Sequence, residues 1–114
     1  MPKFLTDSQV QQYKESGYVD KLRVLSPERA KEIREKLEEF EKSQGSPLHG
    51  SQRHKTHLLF SWLNEIVRDS KIVDAIEDLY GRNILCWTTN FFIKEAHDPG
   101  FVSWHQDSTY WGLS

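Results

Sequence analysis

The stretch Asn83-Ile84-Leu85-Cys86-Trp87-Thr88-Thr89-Asn90-Phe91-Phe92-Ile93-Lys94, followed after a turn by Phe101-Val102-Ser103-Trp104-His105-Gln106-Asp107, decides how this chain is read. Its Ile, Trp, Thr and Phe content suits the pleated, half-buried surface of a sheet, which predicts a strand over 83–94. Between the two halves lies Asp98-Pro99-Gly100, a turn sequence in which Asp bonds nearby backbone, Pro presets φ and Gly relaxes it. A returning strand over 101–107 follows. Side chains two apart on extended backbone share a face, so His105 and Asp107 are expected to project together, with Trp104 and Gln106 on the other side.

Upstream, the pattern changes to helical spacing. Gly81 closes a predicted helix that Ser70 caps and that carries Ile72, Val73, Ile76 and Leu79. His57-Leu58-Leu59-Phe60 leads into another helical stretch through Val67. Ser43 to Lys55, with Gly45, Pro47 and Gly50, reads as a long loop. Ser26-Pro27 opens a helix with Ala30, Ile33, Leu37 and Phe40 on one face and a solvated charge run on the other. Thr6-Asp7-Ser8-Gln9 has the form of a capping box, starting a short helix that runs to Ser16 and ends at Gly17. Tyr18 to Leu25 is expected to run extended into the next element.

The chain has 114 residues, enough for one domain, with residues 1–82 mainly helical and 83–114 carrying the strands. Its 15 basic and 17 acidic residues leave a net charge of -2, and no basic face is interleaved with aromatics, which argues against a nucleic-acid partner. No apolar run approaches the ~20 residues that cross a bilayer, and the start lacks the apolar core of a signal peptide. Cys86 is the single cysteine, so no disulfide forms within the chain. The expectation is a soluble protein of the reducing cytoplasm, with no membrane partner.

An imidazole and a carboxylate on one face can share a metal ion. Completed by a distant histidine, they form the two-histidine, one-carboxylate facial triad, which leaves positions open on iron(II) for a bidentate 2-oxo acid and for dioxygen. Taken alone, His-x-Asp recurs by chance. Here the pair follows an aromatic strand and a Pro-Gly turn and is flanked by Trp104, Tyr110 and Trp111. Such aromatics either shape a dry pocket or serve ordinary core packing.

The run Phe91-Phe92-Ile93-Lys94 through Val102-Ser103-Trp104-His105-Gln106-Asp107-Ser108-Thr109-Tyr110-Trp111 resembles the phytanoyl-CoA dioxygenase family, whose proximal metal ligands sit in a His-Gln-Asp segment followed by aromatics. Ser16-Gly17-Tyr18, the Leu-rich second helix and Leu79-Tyr80-Gly81-Arg82-Asn83 resemble that family's N-terminal region as well. The resemblance implies an α+β fold, with N-terminal helices packed on the first strands of a double-stranded β-helix of jelly-roll, cupin-like form. It implies iron(II) as metal, 2-oxoglutarate as cosubstrate, and hydroxylation of a small-molecule substrate by dioxygen. His105 and Asp107 correspond to the proximal, catalytic ligands, and a carboxylate at 107 favours hydroxylation over halogenation. Asn90 corresponds to a cosubstrate contact, or is a strand residue with a satisfied amide. Lys94 and Trp111 are pocket-edge candidates. His57 lies where the family places a substrate or cosubstrate contact, although a helix-start histidine can equally be structural.

The family's distal histidine and its 2-oxoglutarate-binding arginine correspond to sequence beyond Ser114, since His49, His54, His57 and His97 all precede the motif. The expectation is therefore a truncated chain that does not turn over alone. Two rival readings stand beside it: a zinc hydrolase using His105, Asp107 and an upstream histidine, and a non-catalytic binding or scaffold module in which His-Gln-Asp is a polar turn.

Overall fold

The computed structural model describes residues 1–107. Four helices follow in order: α1 (Asp7–Ser16), α2 (Pro27–Gln44), α3 (Ser61–Val67) and α4 (Ser70–Tyr80), with single 3-10 turns at Gly50–Arg53 and Thr56–Leu58 between α2 and α3. Local chemistry sets the ends. Thr6 accepts from the Gln9 amide while the Gln9 side chain accepts from the Thr6 amide, completing the capping box at α1. Ser26 accepts from the Arg29 amide with Pro27 in the first turn of α2. Both helices stop at a glycine in the left-handed region, Gly17 at φ 79° and Gly45 at φ 75°, where a Cβ would be strained. At α4 the capping side chain is Asp69, which accepts from the Lys71 amide, rather than Ser70.

The N-terminus is strapped to α4 through one carboxylate. Asp78 accepts the amides of Lys3, Phe4 and Leu5 at 2.7–2.8 Å, and Leu5 is buried beneath them. Lys3 Nζ adds ion pairs to Glu77 at 2.8 Å and Asp74 at 3.6 Å. Tyr13 on α1 and Tyr80 on α4 meet edge to face and hydrogen-bond through their hydroxyls. On the other side, Phe40 of α2 packs edge to face on Phe60, which also contacts Trp62 of α3. The loop after α2 folds back on that helix: the Leu48 amide donates to Glu41, its carbonyl accepts from Arg53, and its side chain is fully buried.

The expected strands are not formed. Among the described residues there is no sheet, only an isolated antiparallel bridge between His54 and Asn90, so the expected α+β fold with the first strands of a double-stranded β-helix is corrected to a helical fold with a long extended arm over residues 82–107. The physical reason is burial. Strand-forming composition expresses a fit to a half-buried surface, and two strands alone are marginal without a further layer to cover them. Here Phe92 is 83% exposed and Phe101 86%, so pairing 83–94 with 101–107 would hide neither face. The predicted turn does form locally, with the Gly100 amide bonded to the Asp98 carboxylate at 2.7 Å. The Cα radius of gyration, 16.5 Å, exceeds the roughly 13 Å of a compact 100-residue domain, in line with an unpacked arm.

The arm is held to the helical part at Thr89. Its hydroxyl meets Thr56 Oγ1 at 2.9 Å, the His57 amide at 3.1 Å and His57 Nδ1 at 2.7 Å. Backbone bonds from Thr56 N to Thr89 O and from Phe91 N to Arg53 O flank this point. No helix among the described residues is long and apolar enough to cross a membrane.

Two outcomes follow from these attachments. Partial desolvation pushes the Asp78 carboxyl up, but the amide donors of Leu5, Lys3 and Phe4 and the Lys3 charge outweigh it, holding the group below the usual carboxylate range. The stabilisation this gives is complete above the unfolded-state value and is lost as pH falls through the lower folded value. Hydrogen exchange of the amides of residues 3–5 is expected to be protected at neutral pH and released in acid, and Asp78→Ala should release it at all pH values. At the other end, Thr89→Val keeps shape but orphans the Thr56 hydroxyl, which is 3% exposed, and should cost about 1–3 kcal/mol in denaturant unfolding; Thr89→Ser should recover most of it.

Candidate functional site

His105 and Asp107 lie at the end of the arm, outside any helix or strand and with Asp107 in a turn, and their side chains approach each other. His105 Nε2 and Asp107 Oδ1 are 3.2 Å apart. The other ring nitrogen, Nδ1, lies 2.8 Å from the Ser103 carbonyl oxygen, which can only accept, so Nδ1 carries the proton. Nε2 then meets the carboxylate either as a second N–H donor, in an imidazolium–carboxylate pair, or as a lone pair that a bound cation would bridge.

The arrangement fits a shared metal. Donors at roughly 2.1 Å on adjacent corners of an octahedron lie about 3.0 Å apart, close to the observed separation. A ligating histidine typically donates its second N–H to a carbonyl or carboxylate, as His105 does to Ser103. Both groups are open to solvent, the side chains being 40% and 76% exposed. No group of three or more His, Cys, Asp or Glu side chains suited to a metal occurs among the described residues, so no third protein ligand is in place there.

Asp107 also lines a cavity of about 530 Å³ between α4 and the start of the arm. Ile72, Val73 and Ile76 of α4 form one wall, and Ile84, Leu85 and Trp87 of the arm another. A largely apolar cavity with a carboxylate on its wall has the composition of a small-molecule site. The amphipathic spacing of α4 explains the first wall, because its apolar face is only partly covered by α3. The second wall comes from the residues whose composition had predicted a strand.

Asn90 sits on a second cavity, of about 500 Å³, shared with Ser51, His54, Lys55, Leu58 and Leu59. Thr88 lines both cavities, so they adjoin across that residue. The Asn90 carboxamide oxygen lies 3.2 Å from His54 Nδ1 and 3.4 Å from Thr88 Oγ1. As a carbonyl it accepts both bonds, which fixes the orientation of the amide.

The remaining expected residues fall elsewhere. His57 is tied by its ring to Thr89 and by its carbonyl to Asn64 Nδ2, and it lines neither cavity. Its position favours the structural alternative. Lys94 lines a third cavity, of about 330 Å³, between the two limbs of the arm, with Phe92, Asp98, Phe101 and Val102. It shares no wall residue with the cavity at Asp107. Trp111 lies outside the described residues. Sequence reading missed His54, Lys55 and Ser51. They occur in a loop without periodicity, and only the bridge to Asn90 brings them to the arm.

Compared with known proteins, the chain matches no family model, no curated protein and no solved structure.

Proposed function

We propose that this chain supplies the histidine and carboxylate ligands of a mononuclear iron(II) centre in a 2-oxoglutarate-dependent oxygenase that hydroxylates a small molecule. The observation that carries the reading is the approach of His105 Nε2 to Asp107 Oδ1 at 3.2 Å, with the opposite ring nitrogen 2.8 Å from the Ser103 carbonyl oxygen. The sequence resemblance to the phytanoyl-CoA dioxygenase family is the other support, residue by residue at 105 and 107.

When bound, an iron(II) ion with open positions supplies oxidative chemistry that amino-acid side chains lack. The chain's own residues have simpler tasks. Asp107 contributes charge and His105 a neutral nitrogen, while the Ser103 carbonyl fixes the ring tautomer and orientation. The apolar walls from α4 and from Ile84, Leu85 and Trp87 would hold an apolar part of the substrate beside Asp107. Asn90, on the adjoining cavity, is positioned by His54 and Thr88 and stands apart from this centre. The free thiol of Cys86 suits the reducing cytoplasm, where ferrous iron persists.

The test is metal binding rather than turnover. Titrating the chain with manganese(II) as a paramagnetic stand-in for iron(II) should broaden the NMR signals of residues 103–107 before those of other surface carboxylates. Asp107→Ala and His105→Ala should each weaken this binding by an order of magnitude or more, as loss of a metal ligand does. Broadening spread evenly over the acidic surface of α2, and unchanged in both variants, refutes the metal centre.

A further inference from the structure

The cavity at Asn90 has a chemistry the proposed oxygenase reading leaves unused. Asn90 Oδ1 accepts from His54 Nδ1 and from Thr88 Oγ1, so the amide nitrogen with its two N–H donors is the half of the side chain left over. Among the described residues neither Asn90 Nδ2 nor the Ser51 hydroxyl has a hydrogen-bond partner. Lys55 also lines the cavity, and its ammonium group has no carboxylate partner among the described residues. No Asp or Glu lines the cavity. The opposite wall is Leu58 and Leu59, both more than half exposed.

Lys55 is also held in the left-handed region, at φ 50°, where a side-chain-bearing residue is strained. The backbone bonds on either side, Leu58 N to Lys55 O and Thr56 N to Thr89 O, keep it there. The lysine is thus presented from a fixed backbone.

We propose that this cavity is a recognition site for a carboxylate carried on an apolar chain, with Lys55, Asn90 Nδ2 and Ser51 Oγ donating to the carboxylate and Leu58 and Leu59 covering the first carbons of the chain. Three donors, one of them charged, and no competing acid define an anion site. The leucine wall separates a fatty carboxylate from a small oxo acid, which brings charge but no surface to bury. The site needs no metal, so it stands or falls apart from the His105–Asp107 centre.

The experiment uses the metal-free chain and follows backbone amide shifts of Ser51, Lys55, Leu58, Leu59 and Asn90 during titration with octanoate, 1-octanol and 2-oxoglutarate. Octanoate is expected to saturate these shifts at a concentration at least tenfold below that of either other compound. Lys55→Gln should weaken octanoate about tenfold. Asn90→Asp is the sharper variant: it retains acceptor oxygens for His54 and Thr88, so the arm stays attached, but it replaces the donor with a charge that repels the ligand. Unchanged shifts for α2 and α4 residues in both variants show that the fold is intact. Equal binding of octanol and octanoate, or no loss in Asn90→Asp, overturns the anion site. Tighter binding of 2-oxoglutarate than of octanoate overturns the apolar component and assigns the donors to the oxo acid.

Discussion

One hydroxyl joins the two parts of this molecule. Thr89 Oγ1 touches the hydroxyl of Thr56, the amide of His57 and the ring of His57, and the neighbouring backbone bonds complete the attachment. Thr56 is buried while most of the arm is not, so this part-buried contact is the better shielded end of the arm, where a hydrogen bond is harder to replace with water. Everything placed by the arm depends on that register. Thr88 faces the two adjoining cavities because Thr89 is fixed, and Asn90 meets His54 because it is the next residue along.

The helical part is tied by polar contacts as much as by packing. Among the described residues the buried apolar side chains are Leu5, Leu48, Leu63 and Ala75, and of these Leu48 alone is fully buried. Asp78 holds the amides above Leu5, and Glu41 with Arg53 holds the backbone of Leu48. The surface ion pairs along α2, such as Arg34 with Glu38, are exposed and contribute little beyond helix propensity. Apolar surface is instead left on α4 and along the arm, and this is where the cavities lie.

The contact between His105 and Asp107 and the two cavities are independent in origin. His105 and Asp107 are two positions apart, and their side chains meet at 3.2 Å with no sheet around them. The apolar cavity beside Asp107 arises from the packing of the arm against α4, and the donor-lined cavity from the bridge between His54 and Asn90. The absence of the expected sheet among the described residues leaves the contact between these two side chains in place. It changes their surroundings, which are more open than the interior of a barrel.

Sequence alone determined what depends on residues a few positions apart. Thr6 with Gln9, Ser26 with Pro27, and Gly17, Gly45 and Gly81 mark helix ends through local hydrogen bonds and backbone sterics. Whether residues 83–94 and 101–107 form a sheet depends on what covers them, and their exposed Phe92 and Phe101 show that composition does not carry that information. The cavity partners of Asn90 lie more than thirty residues away in a loop without periodicity, so no local pattern names them. Tertiary structure decided both points, because burial and long-range hydrogen bonds are properties of the folded surface and are not encoded at any one position along the chain.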